Sequence, residues 1–305
     1  MIVLSPEKYS SSCILGLKLW AFTVLPSLLP FFFLTTLLTK TGTLLSLSEK
    51  LSPVSKFLFK QKGVSFYAFV MSILSGYPIG SRIVYDLKTQ NVISRSESEK
   101  LSVLASTSGV IFIIGVVGIT MFKSKTIGVL LYLTHILSAV LVGIIFRNHG
   151  NLTRNENFKI NHPTDSILYE SVYGSVISSL IVGGFISIFY VFTDVALNNN
   201  LLTPIEFIFD KIFTLFGGNK EVARAFSVGL IECTRGCKEL SALPITPLTI
   251  ALSGALISFS GLSIIMQSLA FLQKAEVNSL FFIKGKLLQT LITFILLYFI
   301  FALFL

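Results

Sequence analysis

Two stretches of this chain, Ile127 to Phe146 and Leu287 to Leu305, stay apolar for about twenty residues, enough helix to cross roughly 30 Å of hydrocarbon. Lipid offers no water to hydrogen-bond a peptide group, so such a run spans as a helix whose bonds close on themselves. Arg147 closes the first stretch, and Lys284 and Lys286 precede the second, as basic residues do at a membrane interface. Two further stretches extend the pattern. Ile14 to Leu38 carries Trp20 as an interface anchor, with Pro26 and Pro30 predicted to kink it. Tyr173 to Val195 has Gly183 and Gly184 at its middle, where small residues allow close helix contact. The expected fold is all-α, an integral multi-pass membrane protein with the lipid bilayer as its surroundings.

Composition and charge agree. Hydrophobic residues make up 53% and charged ones 13%, against about 25% charged in a soluble domain. The net charge of +9 sits mostly in the gaps between apolar runs, at Lys40, Lys50, Lys56, Lys60 and Lys62, and at Arg147, Arg154 and Lys159. That placement bears on membrane topology rather than on a basic nucleic-acid face, and no nucleic-acid partner is expected. Lys18 interrupts the first apolar region and no small-residue cleavage site follows, so no signal peptide is expected there. Of the three cysteines, Cys233 and Cys237 lie one helical turn apart, far in sequence from His135, His149 and His162. They are expected to be small buried thiols rather than metal ligands. The chain holds no H-E-x-x-H, no G-x-S-x-G, no Walker A and no paired Asp residues within an apolar segment. Neither enzyme activity nor a cofactor is expected, nor is a nucleotide-driven pump.

The remaining apolar segments are interrupted. Val64 to Leu74 and Val222 to Ile231 are too short to span, and each runs into a polar turn, Ser75 to Gly80 and Glu232 to Gly236 respectively. Leu101 to Phe122 breaks at Ser106-Thr107-Ser108-Gly109, and Leu248 to Leu272 breaks at Ser258-Phe259-Ser260-Gly261. Irregular backbone at membrane depth survives only inside protein or around a wet cavity. The pattern occurs twice, in the same order. The expected organisation is therefore two repeated halves with discontinuous or re-entrant helices: residues 1–147, a polar linker over 148–165, and residues 166–305.

Matching interruptions in two halves point to a transporter's binding site. The candidate lining is Ser75, Gly76, Tyr77, Pro78, Gly80, Arg82, Ser106, Thr107, Ser108 and Gly109 from the first half. From the second come Glu232, Thr234, Arg235, Gly236, Ser258, Ser260, Gly261, Ser263 and Gln267. Half-helix N-termini favour an anion. Arg82 would clamp a carboxylate bidentately or else snorkel to an interface, as Lys238 would. Glu232 and Arg235, three apart, would either serve the site or pair on one helix face. The glycines have a packing reading beside the cavity one. Gln267 and His135 have plain readings as hydrogen-bonded buried polar groups.

Ser-Gly-Tyr-Pro-Ile-Gly-Ser at 75 to 81, followed by Leu-Ser-Val-Leu-Ala-Ser-Thr-Ser-Gly-Val-Ile-Phe-Ile-Ile-Gly at 101 to 115, resembles the YlbJ sporulation integral membrane proteins. So do Gly-Leu-Ile-Glu-Cys-Thr-Arg-Gly at 229 to 236 and Ile-Ser-Phe-Ser-Gly-Leu-Ser-Ile-Ile-Met-Gln at 257 to 267. That family sits among the nucleoside recognition, or Gate, domain proteins. The resemblance covers nearly the whole chain, with Ser106, Val110 and Arg235 departing from the family pattern. It implies a role in endospore formation and movement of a small anion, dipicolinic acid, across a membrane surrounding the forespore. A nucleoside-type carrier and a non-transporting sporulation scaffold are the alternatives. Coupling ion and oligomeric state are not legible in the sequence.

Overall fold

Residues 6–41, 50, 52–150 and 166–304 are described by the computed structural model of the chain. Helix α1 (Pro6–Leu19) runs toward Pro26, which has no N–H and crowds the carbonyl one turn back. The backbone widens there into a π-helical turn over Trp20–Val24, where the Leu25 N–H donates to the Trp20 carbonyl, and continues as α2 (Leu25–Lys40). The axes of Tyr9–Val24 and Leu28–Leu34 differ by 57°, so the expected kink is present.

Short elements follow: α3 (Ser52–Phe59), α4 (Gly63–Ser75), α5 (Ile79–Thr89) and α6 (Arg95–Leu104). Ser94 and Glu97 form a reciprocal capping box that fixes the start of α6. A π-helix over Ile111–Met121 leads to α7 (Lys125–Ile145), capped by Ser124 and closed by a 3-10 turn over Phe146–Asn148. The rest of the expected linker, 151–165, lies outside the described residues. Then come α8 (Ile167–Asn198), α9 (Thr203–Thr214), α10 (Lys220–Ile231), α11 (Cys233–Ser241), α12 (Pro247–Phe259), α13 (Gly261–Leu272) and α14 (Ser279–Phe304). Among the described residues there is no β-strand. The chain is an all-α polytopic membrane protein.

Among the described residues, four segments are long and apolar enough to cross a bilayer, Lys125–Asn148, Ile167–Asn198, Pro247–Leu272 and Ser279–Leu303, with the bent first pair as a fifth. Over an 18-residue apolar stretch of each, the α12–α13 segment is 83% buried within the protein and α14 only 28%. The polar residues of α12 and α13 therefore meet protein rather than lipid. One boundary corrects the sequence reading. Asn278 accepts the Leu280 N–H at 2.9 Å and starts α14 well before Lys286. Lys284 is exposed, but Lys286 is inside the span and wholly buried rather than at an interface.

Small residues set the helix distances. On α8, Ser171, Ser175, Ser179, Gly183 and Ser187 recur every fourth position and form a buried stripe. The hydroxyls of Ser171, Ser175 and Ser187 bond back to their own helix one turn earlier, so the stripe stays smooth. Helices α1 and α2 lie along α8. Gly16 of α1 sits where an added Cβ would be 2.8 Å from the Ser187 backbone, and Trp20 covers Gly183 at 2.5 Å from the site of its missing Cβ. Nothing lies within 4 Å of the corresponding point on Gly184. Gly183→Ala is expected to cost about 1–3 kcal/mol by overpacking. Gly184→Ala is expected to be neutral or to gain up to about 1 kcal/mol from helix propensity. Thermal unfolding in detergent, followed through the single tryptophan, checks this; equal effects at the two glycines would remove the packing account.

Candidate solute cavity

The first break follows α4. Gly76 takes φ +79°, the Tyr77–Pro78 bond is cis, and α5 resumes at Ile79. The second spans residues 105–109, between α6 and the π-helix. The two press backbone against backbone: a Cβ on Gly76 would lie 2.5 Å from the Gly109 nitrogen, and one on Gly80 would overlap the Ala105 carbonyl. The third break is one extended residue, Glu232, between α10 and α11. Its carboxylate accepts the N–H of Thr234 at 3.1 Å and of Arg235 at 2.6 Å, an acid capping the positive end of α11. The fourth is Ser260, held at φ +81° between α12 and α13. The next residue, Gly261, meets the third break; a Cβ there would be 3.0 Å from the Cys233 nitrogen and the Gly229 carbonyl. Gly229 and Gly236 themselves pack face to face.

The first three breaks border one cavity of about 470 Å3, counting its opening, and α13, the helix that follows the fourth, adds Ile264 and Gln267 to its wall. Its polar lining is Ser75, Gly76, Tyr77, Ser108, Gly109, Glu232, Thr234 and Gln267, and its apolar wall is Val24, Leu28, Phe112, Val182, Ile186 and Ile264. Ser75 is buried, and its hydroxyl has no protein partner among the described residues.

Behind the lining runs a hydrogen-bonded spine. The Tyr77 hydroxyl donates to the Ser106 carbonyl at 3.0 Å and accepts from Ser260 Oγ at 2.6 Å and from Lys286 Nζ at 2.5 Å. Ser72 Oγ accepts the Thr107 N–H at 3.1 Å. His135 Nε2 accepts the Ser108 N–H at 3.0 Å, which leaves the ring proton on Nδ1 to donate to Ser258 Oγ at 2.9 Å. Ser258 continues to Thr293 Oγ1 at 2.8 Å, and Thr293 donates to Ser138 Oγ at 2.7 Å. One histidine thus ties the second break to the fourth.

The predicted residues divide. Eight line the cavity, as given above. Pro78, Gly80, Ser106, Thr107, Ser258, Ser260 and Gly261 build the breaks and their support. Gly236 is a packing glycine, and Ser263 is buried on α13. The structure does not bring the arginines to the cavity. Arg82 is 58% exposed beside Asp86, on a separate groove with Thr36, Gly174 and Ser178. Arg235 pairs with Asp194 at 2.6 Å and Glu239 at 2.9 Å and lies over the Tyr190 ring at 4.3 Å. The Glu232–Arg235 side-chain pair, one of the two readings of that spacing, is absent among the described ion pairs, because Glu232 is engaged by backbone amides instead. Lys238 is exposed, and Cys233 and Cys237 are buried with sulfurs 4.0 Å apart. Sequence reasoning missed Lys286, Gln289 and Thr293. Their spacing of three and four marks one polar face on an otherwise apolar α14, which is a readable signal.

Interrupted helices that meet around an internal cavity in a multi-pass helical protein are an architecture in which membrane transporters hold their solutes. No family model matches the chain. The sporulation integral membrane protein YlbJ of Bacillus subtilis (strain 168) is 30% identical over 312 residues, covering 94% of this chain and 76% of that protein. The chain belongs to the YlbJ family of sporulation integral membrane proteins. Its fold is similar to that of a doubly substituted CNTnw in an outward-facing state, with a TM-score of 0.60. That likeness covers 93% of this chain and 76% of the other at 13% identity, and so concerns the fold alone.

The spine gives a direct test. His135→Ala leaves the Ser108 N–H without its acceptor and Ser258 without its donor, at about 1–3 kcal/mol per orphaned buried group. The expected result is a clear fall in the detergent unfolding temperature, and a variant as stable as the parent would show that the spine does not support the break.

Proposed function

We propose that this chain is a carrier that moves a small anionic solute across its membrane, held in the cavity between the helix breaks. One observation carries the reading: two interruptions from residues 1–147 and one from residues 166–305 border a single cavity, and the fourth is tied to its wall by the Ser260–Tyr77 hydrogen bond and by Gln267 of the helix that follows it. We read these portions as two related repeats joined by 148–165. Each has a long apolar helix, short amphipathic pieces, a short helix ending in a polar turn, an interrupted run and a closing span.

The family role implied by the sequence motifs makes dipicolinate the first solute to test, and a membrane surrounding the forespore the place. Dipicolinate is a flat aromatic dicarboxylate. Tyr77 and Phe112 offer ring faces, and the start of the π-helix, where Gly109 and Phe112 line the wall, offers the partial positive charge of a helix N-terminus for carboxylates. The arginines play no part, since both are engaged elsewhere. A second reading rests on Glu232. It is the charged residue of the cavity wall, and a carboxylate suits a neutral, hydroxyl-bearing solute of nucleoside type.

Uptake into proteoliposomes separates these. Labelled dipicolinate is expected to enter faster than into protein-free vesicles, with competition by unlabelled dipicolinate and none by uridine. Gln267→Leu removes an amide from the wall and is expected to lower flux about tenfold or more, a loss of roughly 1.4 kcal/mol, whereas Arg82→Ala stays within about twofold. Competition by uridine alone selects the nucleoside-type carrier. Entry of neither solute leaves a non-transporting membrane scaffold.

A further inference from the structure

Lys286 is the least expected charge in the molecule. It lies in the first half of α14 with no exposed surface. Charged groups at membrane depth are expensive and mark function. Its ammonium has three protons and three oxygen acceptors: the Tyr77 hydroxyl at 2.5 Å, the Ser106 carbonyl at 3.0 Å and Gln289 Oε1 at 3.3 Å. Nζ is also 4.9 Å from the centre of the Tyr77 ring, a distance at which the ring face attracts a cation. Among the described residues no carboxylate lies within 4.0 Å of it. Glu232, the acid of the cavity wall, is held by the amides of α11.

The oxygens therefore neutralise this cation by themselves. The Ser106 carbonyl belongs to the irregular stretch just past the C-terminus of α6, the negative end of that helix dipole. The tyrosine oxygen comes from the first break and receives the hydroxyl of the fourth. Gly285 lets α14 close on α6, since a Cβ there would be 2.5 Å from the Val103 side chain. Freed carbonyls and half-helix C-terminal ends are the surroundings in which transporters hold coupling cations.

We propose that the ammonium of Lys286 is a tethered monovalent cation, filling an oxygen-lined cation site made by Tyr77, Ser106 and Gln289, so that no free sodium ion binds there. The site is complete without an ion from solution. Its consequence for coupling rests on the carrier reading: a cation fixed to α14 cannot be released with the solute, so solute movement is not driven by sodium bound at this place. The cation site itself is testable without any flux.

The test is thermal unfolding of the full chain in detergent, in equal concentrations of sodium, ammonium or choline chloride. Unsubstituted protein is expected to unfold at the same temperature in all three. Lys286→Ala opens the site, lowers Tm by roughly 5–10 °C in choline, and recovers most of that loss in sodium or ammonium, which are small enough to enter. Lys286→Met keeps an apolar stem in the space and recovers in none. Gln289→Ala keeps the lysine, and its Tm is lowered without selectivity among the salts. A sodium-selective rise in the unsubstituted protein, or in Gln289→Ala, overturns the proposal, as does a Lys286→Ala protein equally stable in choline and ammonium. A chain that moves no solute can still pass this test, and a failure here leaves the carrier reading standing.

Discussion

A helix broken at membrane depth bares peptide groups that hydrocarbon cannot hydrogen-bond, at several kcal/mol each. The core of this structure meets that demand with side chains at the second and third breaks. Ser72 and His135 take the amides of residues 107 and 108, Glu232 takes those of residues 234 and 235, and Tyr77 and Lys286 donate to the carbonyl of residue 106. The second break takes its partners from α4, α7, α14 and the first break, whereas the third is capped from within by its own Glu232. Glycines complete the arrangement where backbones must touch, as at Gly76 against Gly109 and Gly261 against the third break. The cavity is the space left where these backbone solutions meet, which is why its polar lining consists so largely of break residues.

The spans and the breaks were legible in the sequence because each rests on a local rule. Twenty apolar residues must cross, and Ser-Gly or Gly-Tyr-Pro-Ile-Gly cannot continue a straight helix. The fate of the charges was not legible, because it depends on distant partners. Arg235 is held by Asp194, 41 positions earlier on α8, and no spacing rule links the two. Arg82 follows a polar turn in sequence, yet it lies on the exposed face of α5 beside Asp86. Lys286 failed for a different reason. A lysine next to an apolar run reads as its edge, but Asn278 starts the helix earlier and carries the lysine inside. The clue was the polar spacing of Lys286, Gln289 and Thr293, which an interfacial flank does not need.

Three features give α14 a place at the centre. It packs on α12, where Gly254 lets Leu297 and Thr293 approach closely. It packs on α7, whose His135 carbonyl accepts from the Gln289 amide at 3.4 Å. Its lysine then reaches the first and second breaks. A single helix near the end of the chain thus supports turns formed much earlier in the sequence.

The two charges buried at the cavity wall and its spine are also sorted by the backbone. Glu232 sits where a helix begins and amides point outward; Lys286 sits where a helix has ended and a carbonyl is free. Each charge is matched by peptide dipoles of opposite sign, so neither needs the other as a counter-ion. A direct Glu–Lys pair would join wall to spine and hold the breaks together whether or not a solute were present. With the charges satisfied separately, the wall between them holds hydroxyl, amide and carboxylate groups with room for a ligand. On the proposed carrier reading, selectivity among solutes depends on which groups the solute brings to that wall, with Ser75 and Gln267 on one side of the balance and Glu232 on the other.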